Sequence, residues 1–425
     1  MTGKSALLLP RLLAFAAMLG TGTAVAVLAA PAGNPMASFD REMVQYMQAR
    51  GVPGGSLAVV KDGRLVYARG YGWADLEKRT PARETSLFRI ASISKPITAV
   101  AVLQLVERGK LRLDDRAIPL LGLSPLLEEG EKPDPRLQRI TIRHLLEHSG
   151  GWDRDQSYDP MFRSETIARA AGIRPPAPPE AIIRYMLGQP LDFDPGTRYA
   201  YSNFGYCILG RIIEKKTGMR YEQYVRKHVL APAGITAMRI GASLESGRLP
   251  NEVSYYSPSD RTGRSLFPSM PGEVPVCYGT FCLESMDAHG GWVASAVDLA
   301  KFAAALDNPE RSPLLKPATI RMMYQRPKPP LGLNGDGSPA DVYYALGWQV
   351  RPVRGTGKAN YWHTGSLPGT WTLLVRRWDG LSWAALFNQR SEDRRFSDGE
   401  IDPALHRAAA GVTAWPTENL FRKYR

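Results

Sequence analysis

The run Phe88-Arg89-Ile90-Ala91-Ser92-Ile93-Ser94-Lys95-Pro96 places a hydroxyl and an amine three residues apart. A serine hydroxyl is a poor nucleophile near neutral pH, because its proton must leave as the new bond forms. In a helix, positions i and i+3 share a face, so the Lys95 amine can reach the Ser92 hydroxyl and accept that proton. The blander use of the same residues is a plain helix start, with Ser92 as the cap and Lys95 in solvent.

Two further groups weigh against the plain helix start. Tyr201-Ser202-Asn203 follows Pro195-Gly196. A tyrosine phenol can carry a proton between nucleophile and leaving group if a nearby cation lowers its pKa, and the Asn203 amide can hold a substrate amide or carbonyl. His363-Thr364-Gly365-Ser366 ends a strand-like run. Glycine in an edge strand lets a substrate backbone approach closely. A backbone N–H just beyond it, with the N–H of Ser92, can stabilise an oxyanion. A competing pattern is His144-Leu145-Leu146-Glu147-His148, which fits the inverted zinc-peptidase signature H-x-x-E-H. On a helix, His144 and His148 would share a face toward zinc, with Glu147 as base. No third ligand can be singled out. The loop from Trp152 to Gln156 reads as solvated, with Trp152 as packing.

The elements that must position these residues follow from periodicity and turn chemistry. Residues 39–50 read as an amphipathic helix. Runs 56–60 and 64–71 read as strands joined by Asp62-Gly63, a hairpin signal. A helix is expected over about 92–108, with Pro96 in its first turn and Gly109 ending it. The middle of the chain is helical and rich in Pro and Gly: 140–148 reads as a short helix starting near Thr141, 175–179 as a connector, and the run 199–216 as helical after Asn203. The stretch 253–286 carries no clear period. A capping box, Ser295 with Asp298, opens a helix over 295–306. Strand composition returns at 344–350, 360–363, 371–377 and 382–387, with Asp379-Gly380 as a hairpin turn, and 404–412 closes the chain as a helix. Strands at both ends with helices between them predict an α/β (α+β) fold. An antiparallel sheet flanked by helices would be formed by residues 39–116 and 287–425 as one discontinuous domain, with a mostly helical domain, 117–286, inserted.

A chain of 425 residues with 44 % hydrophobic and 22 % charged residues has an ordinary soluble composition. Residues 1–32 differ: Lys4 and Arg11 precede an apolar run, and Ala30-Pro31-Ala32 offers a small-residue cleavage site. This predicts a signal peptide and a periplasmic or secreted protein. The rival is an uncleaved membrane anchor, since the run approaches the ~20 residues that span a bilayer. The net charge of +13 is spread among acids and apolar residues. Nucleic acid is not an expected partner, while a weak attraction to anionic cell-envelope polymers is. Of the three cysteines, Cys207 reads as a buried core residue, and Cys277 and Cys282 are close enough in sequence for a loop-closing disulfide that geometry must decide.

Together and in this order, Ser92-x-x-Lys95, Tyr201-x-Asn203 and His363-Thr364-Gly365 resemble the motifs of the serine β-lactamase and penicillin-binding-protein superfamily. The tyrosine form of the second motif is similar to the branch holding class C β-lactamases, DD-carboxypeptidases and family VIII esterases. The flanking Phe88-Arg89-Ile90-Ala91, Leu145-Leu146-Glu147-His148-Ser149-Gly150 and Gly290-Gly291 agree. The resemblance implies Ser92 as the acylated nucleophile, Lys95 as its base and Tyr201 as a partner in proton transfer and deacylation. It implies Asn203, His363, Thr364 and Gly365 as substrate-binding residues, and the N–H groups of Ser92 and Ser366 as the oxyanion hole. It implies no metal and no organic cofactor. The expected activity is that of an exported serine hydrolase cleaving an amide or ester of a small-molecule or peptide substrate. Peptidase or esterase action is favoured over β-lactam hydrolysis. The alternative of another class is a non-catalytic penicillin- or peptidoglycan-binding homologue. One departure is His363, where lysine is common: carboxylate recognition should be weaker or more pH-dependent.

Overall fold

The Asp62-Gly63 turn, with both residues at positive φ, reverses the chain between the strands Gly54–Lys61 and Arg64–Asp75, as the primed-turn preference of this dipeptide predicts. The computed structural model describes residues 34–393 and 395–424; the leader expected over 1–32 lies outside the described residues. No helix among the described residues is long and apolar enough to cross a membrane.

The hairpin forms part of an eight-stranded sheet whose order is Thr80–Pro81, Arg64–Asp75, Gly54–Lys61, Leu381–Phe387, Thr370–Arg376, Lys358–Leu367, Gln349–Val353 and Tyr343–Tyr344. Every pairing in it is antiparallel. The two ends of the chain meet at its centre, where Leu57 faces Ala385 and Ala58 faces Ala384. Side chains alternate between faces along a strand, and both faces are covered. Leu57, Val59, Leu373, Val375 and Trp383 pack with Phe39, Met43 and Leu405 of the helices Ala37–Arg50 and Ile401–Ala410. Ser38 Oγ donates to the Ala408 carbonyl at 2.8 Å and ties those helices together. On the other face, Ala58, Val60, Leu374, Ala384 and Leu386 join the core that holds the helices Ser94–Glu107 and Ala296–Ala305. The second of these opens with the expected Ser295–Asp298 capping box.

Between the two groups of strands lies a mostly helical region, including Ile142–Leu146, Ser164–Ala170, Pro179–Leu187 and Asn203–Thr217. Ser202 caps the last of these by accepting from the Gly205 N–H. The stretch without a period, 253–286, is largely irregular, with one small strand pair, Thr262–Arg264 and Glu273–Pro275. Side chains hold it to the site. Arg89 is fully buried and donates to the carbonyls of Cys277 (2.6 Å) and Ala242 (2.8 Å). Its backbone N–H donates to the Tyr255 hydroxyl at 2.8 Å.

All three cysteines are free and buried. The open question of a Cys277–Cys282 bond is therefore answered against it. The turn between them passes through Gly279 at φ +80, and the two thiols face different ways: Cys282 Sγ meets Ser285 Oγ at 3.2 Å, whereas Cys277 sits against Gly369.

That glycine matters for the site. Pro368-Gly369 joins Lys358–Leu367 to Thr370–Arg376, and Gly369 has φ +83, the geometry of a type II turn with proline first and glycine second. A Cβ on Gly369 would lie 2.6 Å from Tyr255 Cβ and 2.7 Å from Cys277 Sγ. Gly369→Ala should lower stability by more than about 1 kcal/mol, because an alanine at positive φ is strained even before it clashes. A denaturant midpoint within error of wild type would show that the turn relaxes.

Candidate active site

Ser92 lies in a single 3₁₀ turn, Ala91–Ile93, that leads into the helix Ser94–Glu107. Ala91 before it sits at φ +45, a left-handed conformation that a residue with a Cβ adopts only when its surroundings enforce it. The enforcing contacts come from the neighbouring sheet. Thr370 Oγ1 donates to the Arg89 carbonyl at 2.9 Å, and Thr372 Oγ1 donates to the Ile90 carbonyl at 3.0 Å.

Lys95 follows one turn later and is fully buried. Its Nζ has three partners: Ser92 Oγ at 3.0 Å, Asn203 Oδ1 at 2.7 Å and the His289 carbonyl at 3.0 Å. Burial pushes the amine well below its usual range; Asp159 opposes this and Arg154 adds to it. A neutral amine has two N–H donors and one lone pair. Two of its partners are oxygens that only accept, so they take the two N–H groups. The lone pair is left facing the one partner with a proton to give, the Ser92 hydroxyl.

Tyr201 stands beside this pair, with Lys95 Nζ 4.7 Å from its ring centroid. Burial raises its pKa, opposed by a hydrogen bond with Ser92. The expected net lowering by a nearby cation does not occur: Arg154 lowers the pKa, but burial outweighs it. Tyr201 is a phenol, able to donate and accept. His148 supports its ring at 4.3 Å and accepts from the Ser202 N–H through Nδ1 at 3.1 Å.

The strand Lys358–Leu367 passes on the other side. Its partner Gln349–Val353 ends opposite Trp362, so residues 363–367 have no strand on that edge. The turn fixes which groups face it. Leu367 and Thr370 flank a two-residue loop and form a hydrogen-bonded pair, so by alternation Ser366–Trp371 and Thr364–Leu373 do not. The N–H of Ser366 therefore points to the open edge, as an oxyanion donor must.

Two residues of this strand are closely packed. Gly365 is packed closely on one face: a Cβ there would collide with the Ile90 carbonyl and Thr372 Oγ1. This close approach is to the protein's own Ser92 turn. His363 is buried rather than presented to solvent. Its Nδ1 lies 2.7 Å from the Thr364 carbonyl and its Nε2 2.9 Å from the Tyr344 hydroxyl. The carbonyl only accepts, so Nδ1 carries the proton and Nε2 accepts from Tyr344. Burial, with Lys95 adding to it, pushes its pKa down to about 3. Of the two expectations, weaker or more pH-dependent carboxylate recognition, a neutral imidazole favours the weaker.

The zinc pattern also resolves. The helix ends at Leu146, and His148 sits at φ +56, so His144 and His148 do not share a helical face. His144 Nδ1 accepts from the Thr141 N–H at 3.3 Å, and Glu147 pairs with Arg143 at 3.5 Å.

Several site residues carried no sequence signal. Asn203 Nδ2 donates to Asp159 Oδ2 at 2.6 Å. Arg154, from the loop read as solvated, lies 4.7 Å over the Tyr201 ring. Arg390 Nη1 donates to Ser366 Oγ at 3.3 Å. None has a spacing to the motifs that a local pattern could reveal.

Comparison with known proteins agrees with this geometry. Residues 39–406 match the family described as Beta-lactamase. A protein of Dichelobacter nodosus named for fimbrial assembly, FimD of serogroup D, is 33 % identical over 255 residues, 60 % of this chain and 56 % of its own. Esterase EstB of Burkholderia gladioli is 34 % identical over 212 residues, 48 % of this chain and 51 % of its own. The chain thus spans just over half the length of each. The octameric penicillin-binding protein homologue from Pyrococcus abyssi superposes with a TM-score of 0.66 at 26 % identity, covering 91 % of this chain and 80 % of the other.

His363→Gln should leave the pH profile of turnover unchanged between about pH 5 and 8, since no proton is exchanged at this position in the usual histidine range. A limb of the profile that moves with the substitution would show that His363 titrates after all.

Proposed function

The chain belongs to the Beta-lactamase family over residues 39–406, and from that premise we propose that it is a serine hydrolase acting through a Ser92 acyl-enzyme on an amide or ester. The observation that carries the reading is the 3.0 Å contact between Ser92 Oγ and a buried Lys95 Nζ whose other two partners only accept. Ser92 Oγ attacks the substrate carbonyl carbon and its proton passes to the Lys95 lone pair. The carbonyl oxygen becomes an oxyanion between the N–H groups of Ser92 and Ser366. As the tetrahedral adduct collapses, the leaving group takes a proton delivered from Lys95 through the hydroxyl of Tyr201, which as a phenol can accept one proton and release another. Water then enters by the same route reversed and frees Ser92. Asn203 and the Thr364 edge orient the substrate.

A peptidase or esterase activity fits this site better than dedicated β-lactam hydrolysis. Where a lysine would present a positive charge to a substrate carboxylate, His363 is buried and neutral. The similarity to a protein named as an esterase supports the same choice. Export through residues 1–32 belongs to this reading and is checked by the N-terminus of the mature protein.

A fluorophosphonate probe should label the folded wild type, and labelling should vanish in Ser92→Ala. Lys95→Ala should slow labelling by roughly 10²–10⁴-fold, the usual contribution of a positioned base, with the fold intact. Labelling that persists in Ser92→Ala, or near-normal rates in Lys95→Ala, would defeat the assignment. Intact-mass detection of the acyl-enzyme across short-chain esters, D-amino-acid amides, D-Ala-D-Ala peptides and a cephalosporin then selects the substrate. Rapid turnover of the cephalosporin alone would reverse the preference stated above.

A further inference from the structure

The direction of the Lys95 lone pair depends on which end of the Asn203 amide faces it. If Oδ1 faces Lys95, it takes an N–H and the lone pair is left for Ser92. If the amide is reversed, its NH₂ donates to the amine, the lone pair turns toward Asn203, and Ser92 loses its acceptor. Oxygen and nitrogen have nearly the same size and shape, so packing cannot choose between the two; only a hydrogen-bond partner can. That partner is Asp159. Its Oδ2 accepts from Asn203 Nδ2 at 2.6 Å, and its Oδ1 accepts from the Met161 N–H at 3.1 Å. A carboxylate has no proton to offer, so the nitrogen must face it and Oδ1 must face Lys95. Asp159 is in turn held by the turn Pro160–Phe162, whose first residues it caps.

We propose that Asp159 is the positioning residue of this site: through the Asn203 amide it aims the Lys95 lone pair at Ser92, and it supplies the negative charge that acts on that amine. This rests on Lys95 being the base. The rings around Lys95 are uncharged. His148, His289 and His363 are held neutral by burial, and Tyr201 and Tyr206 are held as phenols by the same cause. Among the described residues, Arg154 is the cation that acts on the amine, and it works against Asp159.

The test is the pH dependence of Ser92 labelling by a fluorophosphonate in the full-length protein, compared among wild type, Asp159→Asn, Asp159→Glu and Lys95→Ala. The rate rises with pH as Lys95 loses its proton, which gives an acid limb and a plateau. Removing the negative charge in Asp159→Asn makes the ammonium less favourable, so the limb moves to lower pH. The asparagine offers an NH₂ as readily as an oxygen, so the Asn203 amide loses its fixed orientation. The plateau then falls on the order of 10²-fold, the scale of a misplaced catalytic group. Asp159→Glu keeps the charge and returns the limb toward its wild-type position. A residue that only braced the turn would lower the melting temperature without moving the limb. An unmoved limb or an unchanged plateau in Asp159→Asn overturns the proposal. Lys95→Ala separates the two levels: a limb that survives there removes the base and this inference with it, whereas a limb lost there but unmoved in Asp159→Asn removes the inference alone.

Discussion

The rest of the site depends on the cost of keeping a charge on Lys95. An ammonium taken out of water into surroundings that do not solvate it is unfavourable by several kcal/mol, and such a group sheds its proton instead. Lys95 is fully buried, and the rings around it are phenols and neutral imidazoles. Each of those groups is neutral for the same reason, so the wall is consistent with itself. A lysine in His363's place would bring a competing positive charge into contact with this wall. The neutral imidazole, tied to Tyr344 and to the Thr364 carbonyl, fills that position without raising the field around the amine.

A neutral amine is useful only if its target is held in place, and here the two termini of the fold act together. The Ser92 turn comes from the first part of the chain; the open strand edge comes from the last. Thr370 and Thr372 reach from one to the other and bind the two carbonyls that precede Ala91. Gly365 lets the strand come close enough for this to happen. The distance between the Ser92 and Ser366 N–H groups is thereby set by contacts inside the protein, before any substrate arrives. Donors placed in advance stabilise a developing charge without the cost of reorganising.

What could be read from the sequence follows the range over which its physics acts. The Asp62-Gly63 and Asp379-Gly380 turns, the Ser295 cap and the Ser92–Lys95 spacing are decided within a few residues, and each is found as expected. The antiparallel sheet built from both parts of the chain is nearly as legible, since strands there must bury two faces. Asp159 and Arg154 are invisible to such reasoning. They meet Asn203 and Tyr201 through folding of the middle of the chain, and a single charged residue in a loop has no period. Residue type left His363 open between weaker and more pH-dependent carboxylate recognition for a related reason: the burial that keeps it neutral is a property of the packed structure. The stretch 253–286 has no repeating pattern because, beside one short strand pair, tyrosine hydroxyls and the Arg89 guanidinium hold it.

The electrostatic consequence for the proposed reaction is a difference between its ground and transition states. Before attack, Ser92, Lys95 and Tyr201 carry no formal charge. When Ser92 Oγ bonds to the carbonyl carbon and its proton reaches Lys95, an oxyanion and an ammonium appear together beside a buried wall of neutral rings. Opposite charges a few ångströms apart attract far more strongly there than in bulk water. That attraction is absent while the substrate is merely bound, so it lowers the barrier and does not simply tighten binding. Asp159 joins in at the same moment, because its negative charge stabilises the ammonium form of Lys95. The burial that makes Lys95 a base in the resting protein therefore also strengthens the ion pair formed on the way to the acyl-enzyme.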